Sequence, residues 1–180
     1  MQGLPIESYC LEIDRQLTNN FEAVLGCESQ LDQMNLDFTV KSLTKGNLYA
    51  FRYKARSAYG WGDYSPTALL LVATEPAKPK NAPTFISSTD TDLTIGLDVE
   101  AIENNGSQIL EYSLEISDDS ENFATVPTYN SNAQQHTLNI VADTLDLGKV
   151  YSFRMRARNS IGWGEYSTVL INVGLTSLPA

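Results

Sequence analysis

"YSFRMRARNSIGWGEYS" (Tyr151–Ser167) answers "YAFRYKARSAYGWGDYS" (Tyr49–Ser65), and the pair decides how the chain is read. Ten positions agree in register: Tyr, Phe, Arg, Ala, Arg, Gly, Trp, Gly, Tyr and Ser. Trp61 and Trp163 stand 102 residues apart. Working outward, "LTKGNLY" (Leu43–Tyr49) answers "LDLGKVY" (Leu145–Tyr151), and "PIESYCLEID" (Pro5–Asp14) answers "QILEYSLEIS" (Gln108–Ser117). A phrase that recurs at a domain-sized spacing marks a repeat array.

The stretches inside each copy alternate. Tyr9, Leu11 and Ile13 interleave with Cys10 and Glu12; Phe51, Tyr53 and Ala55 with Arg52, Lys54 and Arg56; Leu93, Ile95 and Leu97 with Thr94 and Gly96. A period of two puts one set inward and the other outward on a half-buried sheet. No stretch carries a helical stripe, so the fold class is all-β, with short strands in antiparallel sandwiches.

The order Tyr-x-Leu-x-Ile, Leu-x-x-Gly-x-x-Tyr, Phe-Arg-x-x-Ala-Arg, Gly-x-Gly-x-x-Ser resembles the back half of a fibronectin type III domain, twice. The resemblance implies two tandem immunoglobulin-like sandwiches with sheets A-B-E and C′-C-F-G. It makes Tyr49 and Tyr151 tyrosine corners. It divides the chain into a partial domain at 1–74, a Pro-rich linker at 75–82, a complete domain at 83–174 and the start of another linker at 175–180 ("TSLPA" lies there). The second repeat departs from the family by offering Leu97 where strand B usually has a Trp, so Phe85 or Tyr112 is expected to fill that space. In the first repeat only eight residues precede Tyr9. Strands A and B are therefore missing, and a strand E near Leu36–Val40 would lie alone over an apolar face. The rest of a longer array, or a strand-swapped second copy, is expected to cover it.

The repeated phrase falls at the F–G turn, where Gly60 and Gly62 are expected to take positive φ. Strand F presents Arg52, Lys54 and Arg56 in one copy and Arg154, Arg156 and Arg158 in the other, with Trp61 and Trp163 just across the turn. In position and composition this resembles the Trp-Ser-x-Trp-Ser element of cytokine-receptor domains, which implies a cation–π stripe. One reading makes the rings structural; the other makes Trp61, Tyr64, Trp163 and Tyr166 a protein-binding surface. Six of the twelve Lys and Arg lie on these two strands, but Glu12 and Glu115 are expected to pair with them across the sheet.

Other chemistry finds little support. A net charge of −10 and a pI near 4.4 oppose nucleic-acid binding and adhesion to anionic membranes. No apolar run approaches a membrane span, and "ALLLVA" (Ala68–Ala73) is strand-sized. No basic start followed by an apolar stretch marks a signal peptide. The single His136 has no evident carboxylate or nucleophile partner. No P-loop, Cys-x-x-Cys or His-rich spacing is present, and "STDTDL" (Ser88–Leu93) and "SDDSEN" (Ser117–Asn122) read as solvated turns rather than calcium loops. No cofactor or metal is implied, and no enzyme. Cys10, placed outward, and Cys27, near the next strand, are candidates for a disulfide or two free thiols. Asn105 opens a glycosylation triplet, "NGS". The expectation is a structural or adhesive spacer, a fragment of an extracellular or cell-surface protein that meets protein partners. The alternatives are a titin-like intracellular scaffold, a ligand-binding receptor ectodomain and an accessory module of a secreted hydrolase.

Overall fold

The computed structural model describes residues 4–27, 33–119 and 121–174. The linker expected at 175–180 lies outside them. The chain forms two compact units, Met1–Ala73 and Thr74–Ala180. Every regular element among the described residues is a strand.

Unit 1 contains β1 (Ser8–Asp14), β2 (Glu22–Leu25), β3 (Leu48–Ser57), β4 (Gly60–Trp61) and β5 (Ala68–Leu71). They make one antiparallel sheet in the order β2-β1-β3-β4, with β5 on the far part of β3. Register puts Cys10 opposite Lys54 and Glu12 opposite Arg52 on one face. Tyr9, Leu11, Ile13, Phe51 and Tyr53 therefore share the other.

Unit 2 contains β6 (Thr84–Ser88), β7 (Asp92–Gly96), β8 (Glu111–Ser117), β9 (Ala124–Thr125), β10 (Gln135–Asn139), β11 (Val150–Arg158) and β12 (Leu170–Gly174). Two sheets, β10-β7-β6 and β12-β11-β8-β9, enclose one core. The alternation explains it. Leu93 and Ile95 from β7, Leu138 from β10, Leu114 from β8, and Phe153, Met155 and Ala157 from β11 all lose their solvent contact. Each large side chain among them stabilises the sandwich by about 1.5–3 kcal/mol. Leu97 is buried and Tyr112 packs against the core from its margin. Phe85 does not fill the space left by the absent Trp: it is 49% exposed, on an edge strand whose register slips beside it.

The expected strand E of unit 1 does not form. Residues 36–40 carry no strand hydrogen bonding. In unit 2 the corresponding β10 pairs along its length with β7, and among the described residues unit 1 has no such neighbour. An extended segment without a ladder partner gains no strand hydrogen bonds. The face it lies near is uncovered: Tyr53 is 55% exposed where its counterpart Met155 is 0% exposed. Leu36 and Phe38 are also exposed.

Candidate functional site

The repeated phrase ends strand β3 or β11 and folds straight back on it. In unit 2 the Gly164 N–H donates to Ala157 O at 2.9 Å, and the Ser167 N–H to Met155 O at 2.8 Å. The Ser167 hydroxyl accepts the Met155 N–H in return at 3.1 Å. Unit 1 repeats each bond through Gly62, Ala55, Ser65 and Tyr53. This backbone zip holds the Trp and Tyr of the phrase over the outward side chains of the preceding strand.

The result in unit 2 is a ladder of alternating rings and guanidinium groups. Phe123 lies 4.1 Å from Arg154, and Tyr166 sits 3.8 Å from Arg154 and 4.4 Å from Arg156. Trp163 follows, 4.7 Å from Arg156 and 5.7 Å from Arg158. Glu115 anchors the stack from β8. It pairs with Arg154 at 2.6 Å and takes the Tyr166 hydroxyl proton bond at 2.5 Å. Burial, then the bond to Glu115, raises the Tyr166 pKa and keeps its hydroxyl a donor. Arg158 pairs separately with Glu111 at 2.5 Å.

Unit 1 builds the same order with weaker parts. Phe21 and Tyr64 sandwich Arg52 at 3.9 and 3.8 Å, and Lys54 lies 4.6 Å from Tyr64 and 5.2 Å from Trp61. Glu12 pairs with Arg52 at 2.7 Å and accepts from Tyr64 at 2.8 Å. Arg56 departs from the expected stripe: it faces Trp61 along the β3–β4 ladder, yet no ring of the described residues stacks on it. Phe21 and Phe123 escaped the sequence reading. Their signal was there, since "NFEAV" (Asn20–Val24) and "NFATV" (Asn122–Val126) repeat at the same spacing of 102.

The glycines of the phrase have different tasks. Gly60 takes the expected positive φ of 110°, but Gly62 does not. Gly164 is needed for close approach: a Cβ there would stand 2.3 Å from Pro76 O. The segment Thr74–Ala77 runs past this point and is clamped. The Asn159 side chain donates to Thr74 O at 2.7 Å and Asn104 O at 3.1 Å. The Thr74 N–H donates to Asn105 O, the Ala77 N–H to Glu103 O, and Asn105 Nδ2 to Glu75 O at 2.8 Å. Pro76, Pro79 and Pro83 are buried. The nitrogen that would carry a glycan on Asn105 is therefore engaged in this clamp.

Tyr49 and Tyr151 accept the Thr44 and Asp146 N–H at 2.8 and 2.7 Å, tying the turn before each strand to its first residues. Cys10 and Cys27 are joined by a disulfide. Cys10 points to the same face as Glu12 but is fully buried, because the turn carrying Cys27 closes over it.

His136 does have partners, contrary to the sequence reading. Its Nε2 lies 2.9 Å from the Thr128 hydroxyl, which itself donates to Asp143. Asp143 also accepts the Asn139 N–H at 2.8 Å. With its proton directed at Asp143, the hydroxyl accepts from His136, so this chain of bonds does not activate Thr128 as a nucleophile. Sequence distance hid it, since Thr128 and Asp143 lie on loops either side of β10.

A family model described as the fibronectin type III domain matches residues 77–173. Over 168 residues the chain is 27% identical to a titin of Drosophila melanogaster, covering 91% of this chain and 1% of that protein. The crystal structure of the FN1–FN3 domains of chicken CNTN1 aligns with 98% of this chain and 59% of its own, at 19% identity and a TM-score of 0.47.

Proposed function

Because the chain belongs to the fibronectin type III family through residues 77–173, we propose that it is a non-enzymatic spacer and contact module of a longer multi-domain protein. In this reading unit 1 is a second, truncated repeat without strands A and B, and 75–82 is the linker between repeats. The ladders stiffen one face of each sheet. Protein partners meet the loops and the outer edges of these ladders, at the rings of Trp61, Tyr64, Trp163 and Tyr166. The uncovered face of unit 1 takes β-strands from a neighbouring module or a second copy; light scattering that finds only monomer at high concentration, with unit 1 folded, rules out the second copy.

The observation that carries the spacer role is the clamp on Thr74–Ala77. A linker whose carbonyls and amides are held by Asn159, Asn105 and Glu103 is docked along unit 2, whereas a free Pro-rich coil only sets reach. Backbone relaxation by NMR tests it. The Glu75 and Ala77 amides should be as ordered as those of β11, and Asn159→Ala should loosen them. Coil-like order in the unaltered chain would remove the basis for a stiff spacer.

An extracellular or cell-surface setting is supported by the Cys10–Cys27 bond, since such bonds persist in oxidising compartments. The engaged Asn105 amide favours the second reading, an intracellular scaffold module. Intact mass of the protein from its source, with and without reduction, separates the two. A glycan or a 2-proton gain on reduction (about 2 mass units) places it outside the cell; two free thiols and no glycan place it inside.

A further inference from the structure

Three potential ligand atoms of unit 1 lie within 4.8 Å of one another: the sulfurs of Cys10 and Cys27, held together by their disulfide, and a carboxylate oxygen of Glu12. The backbone is shaped to bring them there. Cys10 and Glu12 sit two residues apart on one face of β1. Cys27 arrives from the end of β2 through two successive residues at positive φ, Gly26 at 67° and Cys27 at 66°. A Cβ at Gly26 would lie 1.9 Å from Tyr9 O, so only glycine lets the turn press this close to β1. Positive φ is costly for a residue with a side chain.

The ladder itself does not require this arrangement. Unit 2 builds the same sheet and the same ladder with Ser113 in the place of Cys10, and it has no cysteine at all. The cysteine pair is an addition to the repeat.

We propose that reducing the Cys10–Cys27 bond converts this cluster into a zinc site with Cys10, Cys27 and Glu12 as ligands and one water in the fourth position. The disulfide takes up two electrons and two protons from a dithiol, which becomes a disulfide in turn. Zinc then displaces both thiol protons and binds two thiolates and the carboxylate. Tetrahedral zinc with bonds near 2.3 Å to sulfur and 2.0 Å to oxygen separates its ligand atoms by about 3.5–3.8 Å. Cys27 lies on a turn, so its sulfur can swing to that distance while β1 stays fixed. Thiolates select zinc over hard cations such as magnesium or calcium. The site carries one net negative charge when loaded, and Arg52 and Lys54, registered opposite Glu12 and Cys10, offset it. Glu12 already keeps one oxygen on Arg52 and the other on Tyr64, which orients the carboxylate as an outer shell would.

The test uses the whole chain, reduced with a phosphine that is then removed, and cobalt(II) as the probe. One equivalent of cobalt should bring a near-ultraviolet thiolate charge-transfer band and the intense visible bands of four-coordinate cobalt. One equivalent of zinc should bleach both. The oxidised chain and Cys27→Ser should show neither. Glu12→Gln should weaken binding at least about tenfold. Circular dichroism checks that the reduced chain keeps its β signal or regains it with the metal. A reduced chain without the charge-transfer band overturns the proposal, whether folded or not. An unchanged affinity in Glu12→Gln overturns the three-ligand site.

Discussion

Glu115 is the residue on which the ladder of unit 2 depends. Its carboxylate is almost fully buried and serves Arg154, Arg156 and Tyr166 together. Removing one member of a buried charge network strands the others, which costs about 3–5 kcal/mol. Glu115→Ala should therefore lower the stability of unit 2 by about 3 kcal/mol in urea unfolding. Glu12→Ala should cost unit 1 less, because among the described residues only Arg52 and Tyr64 depend on it and its side chain is more exposed. The two copies also compare Lys with Arg at one rung. Lys54 is a point charge beside Trp61, whereas the planar Arg156 fits between Trp163 and Tyr166. Lys54→Arg should stabilise unit 1 by about 0.5 kcal/mol; no gain would mean that the rung is too wet to matter. The Trp and the basic residues of the ladder were legible because they sit in one repeated phrase. The Phe rungs come from another strand, and only their shared spacing reveals them. The Asn159 clamp was not legible at all: it joins residues 85 apart in sequence, and Ser57 stands at that position in the other copy.

At the scale of elements, the alternation of Leu93, Ile95 and Leu97 marked the strand that became β7, and the family resemblance implied the rest, but neither could say whether a strand has a neighbour. Leu36–Val40 has the apolar residues of a strand and no ladder, because pairing is a property of two segments. Strand β10 shows the opposite case, held by β7 on one side and finished by His136, Thr128 and Asp143. Burial lowers the His136 pKa, opposed in part by Asp143. A folded-state pKa below the unfolded value means that the unfolded chain binds the proton more readily. The contribution to stability is then complete above about pH 6.5 and is lost as the pH falls below it. Unit 2 should accordingly unfold at lower urea at pH 5 than at pH 7, and His136→Gln should shrink that difference. An equal pH dependence in the variant would place its origin elsewhere. At the other end of the scale, burial pushes the Tyr129 pKa up to about 12. Its contribution is complete below the ordinary value near 10 and is lost as the pH rises toward 12, so Tyr129→Phe should resist alkaline unfolding better than the parent.

For the whole molecule, the two units are stabilised by different means. Among the described residues, unit 2 buries a two-sheet core that includes Phe153, Met155, Leu114 and Ile95. Of its described residues, unit 1 buries few apolar side chains, chiefly Ile13, Tyr49 and Ala50, together with the Cys10–Cys27 pair. A single sheet with one open face gains too little from burial to offset the chain entropy of its residues, and a covalent staple is the usual remedy in small units. The bond spans 17 residues, and closing a loop of that length disfavours the unfolded chain by about 3 kcal/mol. Reduction should leave the calorimetric transition of unit 2 in place and lower that of unit 1 by roughly 12–24 °C. If strands from a second copy cover the face of Tyr53, Leu11 and Phe38, the unit 1 transition should also rise with protein concentration, because association stabilises only the folded form. A unit 1 transition that ignores both reduction and concentration would mean that the open sheet is held by its ladder alone, and the bare face would then be free for a different protein.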